Sequence, residues 1–226
     1  MEKPLLVLMK MMNKTREPEA YRIGWVPFIH TEIYLDSKPL IPRTETEYWV
    51  DKAIKEIKES GINEPRVLDM CSGSGAIGVA VLKEVSDAFV DFVELDEKHH
   101  ATIRKNVEMN NLDATRTQIF GGDLFENITD QYDFILSNPP YLDPKLQDRI
   151  QPTVALYEPE LALYGGIGGL ELIDRILEKV GKYLTPRGVL YLEHEPEHVE
   201  HLAKHPLYQE TYKDQFGRQR VSCFKH

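Results

Sequence analysis

The residues best suited to chemistry are Ser137-Asn138-Pro139-Pro140-Tyr141. They follow Tyr132-Asp133-Phe134-Ile135-Leu136, an apolar run that predicts a buried parallel strand. Two successive prolines end that strand. Proline fixes φ and lacks an N–H, and it drives the preceding residue, here Asn138, to an extended conformation. A stiff loop at the carboxyl end of a strand results, the position at which open α/β sheets bind ligands. There the side-chain carbonyl of Asn138 and the backbone carbonyl of Pro139 can stand side by side, next to the ring of Tyr141. Two acceptors beside a flat ring suit a planar, neutral –NH2 group with two protons to donate. Taken alone, Asn-Pro-Pro favours a plain turn; the rest of the chain shifts that weighting.

A second stretch, Val67-Leu68-Asp69-Met70-Cys71-Ser72-Gly73-Ser74-Gly75-Ala76-Ile77-Gly78, reads as a strand, a glycine-rich turn and the start of a helix. Glycine permits the tight turn and a close approach of backbone to ligand. Glu94 ends the next strand, 21 residues after Gly73, where a carboxylate accepts hydrogen bonds from ribose hydroxyls. A nucleoside cofactor follows. A dinucleotide would bring a pyrophosphate, which Asp69 at the mouth of the turn repels. S-adenosylmethionine brings an ammonium and a sulfonium instead, both favoured by carboxylates, and its own carboxylate can use the helix N-terminus at Ala76. Asp123, in Gly122-Asp123-Leu124, is placed to accept from an adenine amine with Leu124 over the ring, or equally to cap its loop. Asp69, Glu94 and Asp123 together favour S-adenosylmethionine over NAD.

These loops require an alternating scaffold. Strands are expected at Arg66–Met70, Phe89–Glu94, Thr117–Phe120, Tyr132–Ser137 and Val189–Glu193. Helices are expected from Ala76, over about Glu97–Asn110, over Leu170–Tyr183 and from about Pro196 to Ala203. That order predicts an α/β fold, a doubly wound and mostly parallel Rossmann-like sheet. Leu207–Lys213 and Arg220–Phe224 predict an antiparallel hairpin at its edge. Ahead of the sheet, Tyr21–Leu40 alternates like a small hairpin. Thr44 and Glu47 have capping-box spacing before a helix whose apolar stripe is Trp49, Val50, Ala53, Ile54 and Ile57, with Gly61 as its stop. Residues 1–20 suggest a short helix or an arm.

Bulk properties narrow the class. The chain has 226 residues, 42% hydrophobic and 28% charged, which suits one α/β domain with a short extension. A net charge of -10 disfavours broad nucleic-acid binding. Cys71 and Cys223 are too few for a disulfide framework or a zinc site. Leu5–Met9 is too short for a signal or a membrane span. A cytoplasmic enzyme without membrane partners is expected.

The motifs resemble the HemK-type glutamine methyltransferases, which modify peptide chain release factors. The resemblance covers roughly residues 17–224. It runs through Glu17-Pro18-Glu19-Ala20-Tyr21-Arg22-Ile23-Gly24, Ile41-Pro42-Arg43-Thr44-Glu45-Thr46-Glu47, the glycine loop, Glu94, Gly122-Asp123-Leu124 and Asn138-Pro139-Pro140-Tyr141. It continues through Glu158-Pro159-Glu160-Leu161-Ala162-Leu163-Tyr164-Gly165-Gly166 and ends at Asp214, Gly217, Arg218 and Arg220. Asn-Pro-Pro-Tyr by itself also occurs in methyltransferases acting on adenine amines of DNA or RNA. The resemblance implies a methyltransferase domain over 17–226 after a short extension of residues 1–16. It implies methyl transfer from S-adenosylmethionine, leaving S-adenosylhomocysteine, to a glutamine amide of a release factor. Asn138, Pro139 and Tyr141 would be catalytic, and Asn138, Pro139, Pro140 and Tyr141 would hold the substrate. Asp69, Cys71, Ser72, Gly73, Ser74, Gly75, Glu94, Asp123, Leu124 and Asn138 would hold the cofactor. An adenine-amine methyltransferase and a non-catalytic nucleotide-binding module are the alternatives.

Three departures stand out. Only about 16 residues precede the match, where the family carries a helical domain that grips the release factor, so weak docking is expected. Gly168 stands where the family has an acid. Glu193-His194-Glu195-Pro196-Glu197-His198 stands where the family has E-I-G-x-x-Q. His194, His198, His201 and His205 read as a solvated helix face rather than a metal site. Arg43 and Glu47 read either as lining the entrance or as an ion pair within a capping box.

Overall fold

The computed structural model describes residues 16–226. The expectation for the start of the chain therefore falls largely outside the described residues. Glu19–Ile23 forms helix α1, followed by Gly24 at φ 93°. Tyr21 and Ile23 were expected in a strand; the hairpin is shorter, pairing β1 (Trp25–Phe28) with β2 (Thr31–Tyr34) antiparallel. Helix α2 (Thr44–Glu59) buries the expected stripe of Trp49, Val50, Ala53, Ile54 and Ile57. Its capping box does not form. Arg43 takes the N-cap position without a side-chain cap bond. The Glu47 carboxylate instead accepts the Ile29 N–H of the hairpin turn at 2.6 Å. Tertiary packing of the hairpin on α2 has overridden the local motif.

The remaining elements are β3 (Arg66–Met70), α3 (Ala76–Glu84), β4 (Phe89–Glu94), α4 (His100–Met109), β5 (Thr117–Gly121) and β6 (Tyr132–Ser137). After them come α5 (Pro152–Tyr157), α6 (Glu171–Tyr183), β7 (Leu184–Glu193), α7 (Val199–Leu202), β8 (Tyr208–Lys213) and β9 (Gln219–Lys225). The seven-stranded sheet runs β5-β4-β3-β6-β7-β9-β8. Its first five strands are parallel, and β9 and β8 add the antiparallel edge. This is the doubly wound architecture that the strand–helix alternation predicts. No helix among the described residues is long and apolar enough to cross a membrane.

Both faces of the parallel strands are covered, so their side chains divide by parity. Val67, Val90, Phe92, Phe134 and Leu136 pack with α2, α3, α4 and the hairpin. Leu68, Met70, Val93, Ile135, Leu190 and Leu192 pack on the other face with α6 and Phe224. The side chain of Asn106, fully buried on α4, makes three hydrogen bonds to two neighbours. It accepts from the Tyr34 N–H at 2.7 Å and donates to the carbonyls of Tyr34 and Ser74. The hairpin and the glycine loop are thereby tied to one side chain.

Gly78 allows α3 to lie against β4. A Cβ at this position would stand 2.3 Å from Phe92 Cε1 and 2.9 Å from Val90 Cγ1. Gly78→Ala is therefore expected to cost about 1–3 kcal/mol through overpacking. Urea unfolding measures it, and a variant as stable as the parent would mean that helix and strand can part without penalty.

Candidate active site

Register brings the functional loops to one level. Met70 pairs with both Val93 and Ser137, and Glu94 pairs with Gly121. Cys71, Glu94, Gly122 and Asn138 therefore cluster at the carboxyl ends of four adjacent strands. The chain passes outward from β3 to β4 and β5, then returns to β6 on the other side of β3. That reversal is the topological switch point, where such sheets open a crevice.

A cavity of about 230 Å³ occupies the crevice. Cys71, Gly73, Glu94, Asp123, Leu124 and Asn138 lie on its wall, with Val93, Leu95, Leu161, Tyr164 and Leu172 giving it apolar surface. Pro140, expected on the substrate side, also lies here. Glu94 is oriented by backbone: the Gly73 N–H donates to Oε2 at 2.7 Å and the Asp96 N–H to Oε1 at 2.8 Å. Each oxygen retains a lone pair for a further donor. Asp123 is paired with Arg175 at 2.5 Å, an interaction outside the sequence reading. Among the described residues Arg175 is the only Lys or Arg on the wall, and burial holds His99 neutral with its pKa lowered to about 4. The donor set is acidic and suits a cationic ligand with a flat apolar part. It disfavours a pyrophosphate.

Ser72, Ser74 and Gly75 shape the turn and are not on the cavity wall. The Ser72 hydroxyl donates to the Asp69 carbonyl at 2.6 Å, and Gly75 holds φ 79°. Burial, then Glu94, pushes the Cys71 thiol up, so it stays protonated. Asp69 was expected at the mouth of the loop, facing the ligand. It is fully buried beneath the loop, with Oδ2 accepting the Gly78 N–H at 2.8 Å. Its Oδ1 has no partner among the described residues.

Burial raises the Asp69 pKa to about 8, against the lowering effect of the Gly78 hydrogen bond. Between about 4 and about 8 the unfolded chain gives up this proton and the folded chain keeps it, so this group's contribution to stability falls as pH rises. Asp69→Asn carries no such proton. The stability of Asp69→Asn relative to the parent should therefore improve with pH across that window, by no more than about 1.4 kcal/mol per pH unit. Urea titrations at several pH values test this, and a constant difference would place the ionised form inside the fold.

A second cavity, of about 430 Å³, lies on the other side of Asn138. Its wall includes Arg43, Glu45, Asn138, Pro139, Tyr141, Arg149, Glu193, Glu195 and Arg220. Leu40, Asn138 and Ala162 are common to both cavities, so Asn138 stands in the partition. Its Nδ2 donates to Thr46 Oγ1 at 3.1 Å, and its Oδ1 has no protein partner among the described residues. Thr46 donates to Glu193 Oε2 at 2.7 Å, Trp49 Nε1 donates to the same oxygen at 2.7 Å, and the Tyr141 hydroxyl donates to Oε1 at 2.9 Å. Burial, and then the Glu193 charge, keeps Tyr141 protonated. Tyr141 thus shows its ring to the second cavity while its hydroxyl is committed behind it.

Sequence reasoning missed Thr46, Trp49 and Glu193 as site residues. The available signal was Glu193 itself, a carboxylate ending a strand that neighbours β6. Arg43 does not pair with Glu47. It binds both oxygens of Glu158 at 2.7 and 2.8 Å, which fastens the 158–166 segment, whose Pro159, Leu161, Ala162 and Tyr164 line the first cavity and whose Ala162 and Leu163 line the second. The histidines are not one solvated face. His194 and His198 are buried, and only His201 and His205 reach solvent. His194 Nδ1 donates to the Glu195 carbonyl and Nε2 accepts from Ser222, which keeps it neutral, its pKa lowered to about 4 by burial. Among the described residues no three His, Cys, Asp or Glu side chains group as a metal site.

Comparison with known proteins accords with this geometry. Residues 53–155 match the family model described as the methyltransferase small domain. The release factor glutamine methyltransferase of Streptococcus pneumoniae is 34% identical over 213 residues, which is 91% of this chain and 74% of that protein. The release factor glutamine methyltransferase of Streptomyces coelicolor is 33% identical, over 80% of this chain and 64% of its own length. The ribosomal protein uL3 glutamine methyltransferase of Bradyrhizobium diazoefficiens is also 33% identical, over 84% and 61% respectively. The chain thus spans about two thirds of the length of these relatives. In fold it resembles the catalytic domain of hMettl16 in complex with an RNA hairpin, with TM-score 0.63, 19% identity and coverage of 87% of this chain and 76% of that one. It likewise resembles the ribosomal protein L11 methylase of Lactobacillus delbrueckii, with TM-score 0.59, 14% identity and coverage of 84% and 83%. With a methyltransferase sheet, an acidic crevice at its switch point and this degree of identity, the chain belongs to the release factor glutamine methyltransferase family.

Proposed function

We propose that this protein transfers a methyl group from S-adenosylmethionine to the side-chain amide nitrogen of a glutamine in a protein of the translation machinery, a peptide chain release factor first of all. One observation carries the reading: Asn138 separates an acidic nucleoside-sized cavity from a second cavity, with its carbonyl oxygen uncommitted among the described residues. Glu94 would hold the ribose, Asp123 and Leu124 the adenine, and the backbone around Cys71 and Gly73 the methionine part. When bound, S-adenosylmethionine supplies an electrophilic methyl group.

The chain's own residues do the rest. An amide nitrogen is a poor nucleophile because its lone pair is delocalised into the carbonyl. The Asn138 side-chain oxygen and the Pro139 carbonyl would accept its two N–H groups and aim the nitrogen at the cofactor side of the partition. Positive charge grows on nitrogen as it attacks, so both acceptors bind more strongly in the transition state than in the ground state. Tyr141, fixed through its hydroxyl, would cover the amide plane. The methyl-transfer step needs no general base, since the proton can leave afterwards to water. The same acceptor pair would serve an adenine amine, but a net charge of -10 supports a protein acceptor.

Mass spectrometry decides the substrate. Release factor, ribosomal protein uL3 and an adenine-containing oligonucleotide, each incubated with enzyme and labelled cofactor, should yield label on a glutamine of a protein; label only on the oligonucleotide would overturn the reading. Glu94→Ala should weaken S-adenosylhomocysteine binding by about 1.5–3 kcal/mol, the scale for hydrogen bonds to a charged group. Unchanged calorimetric affinity would count against the ribose assignment. Asn138→Ala should lower kcat by ~10²–10³ without loss of fold, the usual cost of one preorganised electrostatic partner. Asn138→Asp, which keeps an acceptor, should retain more activity than Asn138→Ala. Single-turnover methylation with melting temperatures for both variants tests this, and normal turnover in Asn138→Ala would remove the mechanism.

A further inference from the structure

The shape of a side-chain amide hardly changes when it is rotated by half a turn about its last bond, but the chemistry reverses: an acceptor becomes a pair of donors. A reversed Asn138 would oppose its own NH2 to the NH2 of the acceptor amide. Something must tell the two ends apart, and the polar groups behind the loop can do so. Thr46 Oγ1 lies 3.1 Å from Asn138 Nδ2 and 2.7 Å from Glu193 Oε2. A hydroxyl can donate or accept, so its sense depends on the next group. Glu193 Oε2 also lies 2.7 Å from Trp49 Nε1. The indole N–H can only donate. Trp49 therefore keeps Oε2 an acceptor. That oxygen draws the Thr46 hydrogen, and Thr46 is left to offer lone pairs to Asn138.

We propose that Thr46, set by Glu193 and Trp49, is a positioning residue that fixes the Asn138 amide with its NH2 inward and its oxygen toward the acceptor cavity. The proposal rests on the reading of Asn138 as the group that orients the methyl acceptor. Two further observations support it. The parallel register pairs Ser137 with Leu192, which brings Asn138 level with Glu193 at the ends of adjacent strands. Thr46, Trp49 and Glu193 are 3%, 3% and 1% exposed, so water cannot substitute for any link of the chain. The arrangement does not depend on the charge of Glu193, because a proton there would sit on Oε1, facing Tyr141, and leave the sense of Thr46 unchanged.

The test pairs an isosteric loss with its rescue. Thr46→Val removes the hydroxyl and keeps the shape, whereas Thr46→Ser keeps the hydroxyl. Thr46→Val should lower kcat about ten-fold, the worth of one hydrogen bond, with KM and S-adenosylhomocysteine affinity little changed. Thr46→Ser should restore most of the rate. In the Asn138→Ala background, Thr46→Val should cost nothing further, because a residue acting only through Asn138 has nothing left to position. An undiminished loss in that background, or a wild-type rate in Thr46→Val, overturns the proposal. Nuclear magnetic resonance of the isotope-labelled protein separates this outcome from a failure of the functional reading. The Asn138 side-chain amide protons, identified by their disappearance in Asn138→Ala, should show a nuclear Overhauser effect to the Thr46 methyl group. Its absence overturns the proposal whatever the acceptor is. Its presence alongside normal turnover in Asn138→Ala would instead sink the catalytic role of Asn138 while leaving the orientation by Thr46 intact.

Discussion

The parallel pairing of β3 with β6 is the constraint on which the rest of the site depends. Those strands are distant in the chain and adjacent in the sheet, and their ladder sets Met70 beside Ser137. The Ser137 hydroxyl closes the end of the pair by donating to the Met70 carbonyl at 2.9 Å. Both strands are buried on both faces, so a slip of one residue would exchange their two core sets and is not tolerated. The glycine loop and the Asn-Pro-Pro-Tyr loop consequently leave the sheet side by side. The two cavities are then neighbours by construction, with Asn138 between them.

Buried acids at the strand ends give this edge its electrostatic character. Asp69, Glu94 and Glu193 lie at or next to the carboxyl ends of β3, β4 and β7, and burial raises the pKa of each. What distinguishes them is the set of donors each one meets. Asp69 meets the Gly78 N–H under the loop, Glu94 meets two backbone N–H groups at the cavity wall, and Glu193 meets three side-chain donors behind the Asn-Pro-Pro-Tyr loop. Carboxylates at one structural level thus brace a loop from below, line a cavity wall and hold the hydroxyl behind Asn138. A buried carboxylate is costly unless it is hydrogen-bonded, so each donor set also locks the backbone that supplies it.

The segment ahead of the sheet completes the second cavity. Tyr21 donates to the Pro39 carbonyl, Asn106 ties the hairpin to the glycine loop, and Arg43 with the Ile41 N–H grips Glu158 from more than a hundred positions away. Residues 39–46 are therefore held between the hairpin and the 158–166 segment. They carry Leu40 to both cavities and Thr46 to the back of Asn138. None of these contacts touches the sheet's own hydrogen bonds, so the second cavity is an addition to a scaffold that the first cavity needs in any case.

The features that could be read without coordinates are those whose physics is local. Glycine at Gly75 answers a positive φ, paired prolines stop β6 after Ser137, and alternating apolar runs mark strands that must be covered on both faces. Those signals yielded the sheet, the helices, the glycine loop and the place of Asn138. Apart from Tyr21 and Ile23, which lie in α1 and not in a strand, the misreadings concern where side chains go and which partners they meet. Thr44 and Glu47 have the spacing of a capping box, but the hairpin turn supplied a competing donor to Glu47. Arg43 found Glu158 instead of Glu47. His194 and His198 were packed into the interior although their neighbours in sequence are charged. Asp69 went beneath the loop it precedes. Glu193 acquired Thr46 and Trp49 across separations of 147 and 144 residues. The sequence by itself determined which backbone conformations and which faces the chain adopts, because those follow from φ restrictions and side-chain period within a few residues. Only the tertiary structure decided which donor each buried acid meets, because a hydrogen bond is directional and short, and its partner is chosen by strand register and packing rather than by distance along the chain.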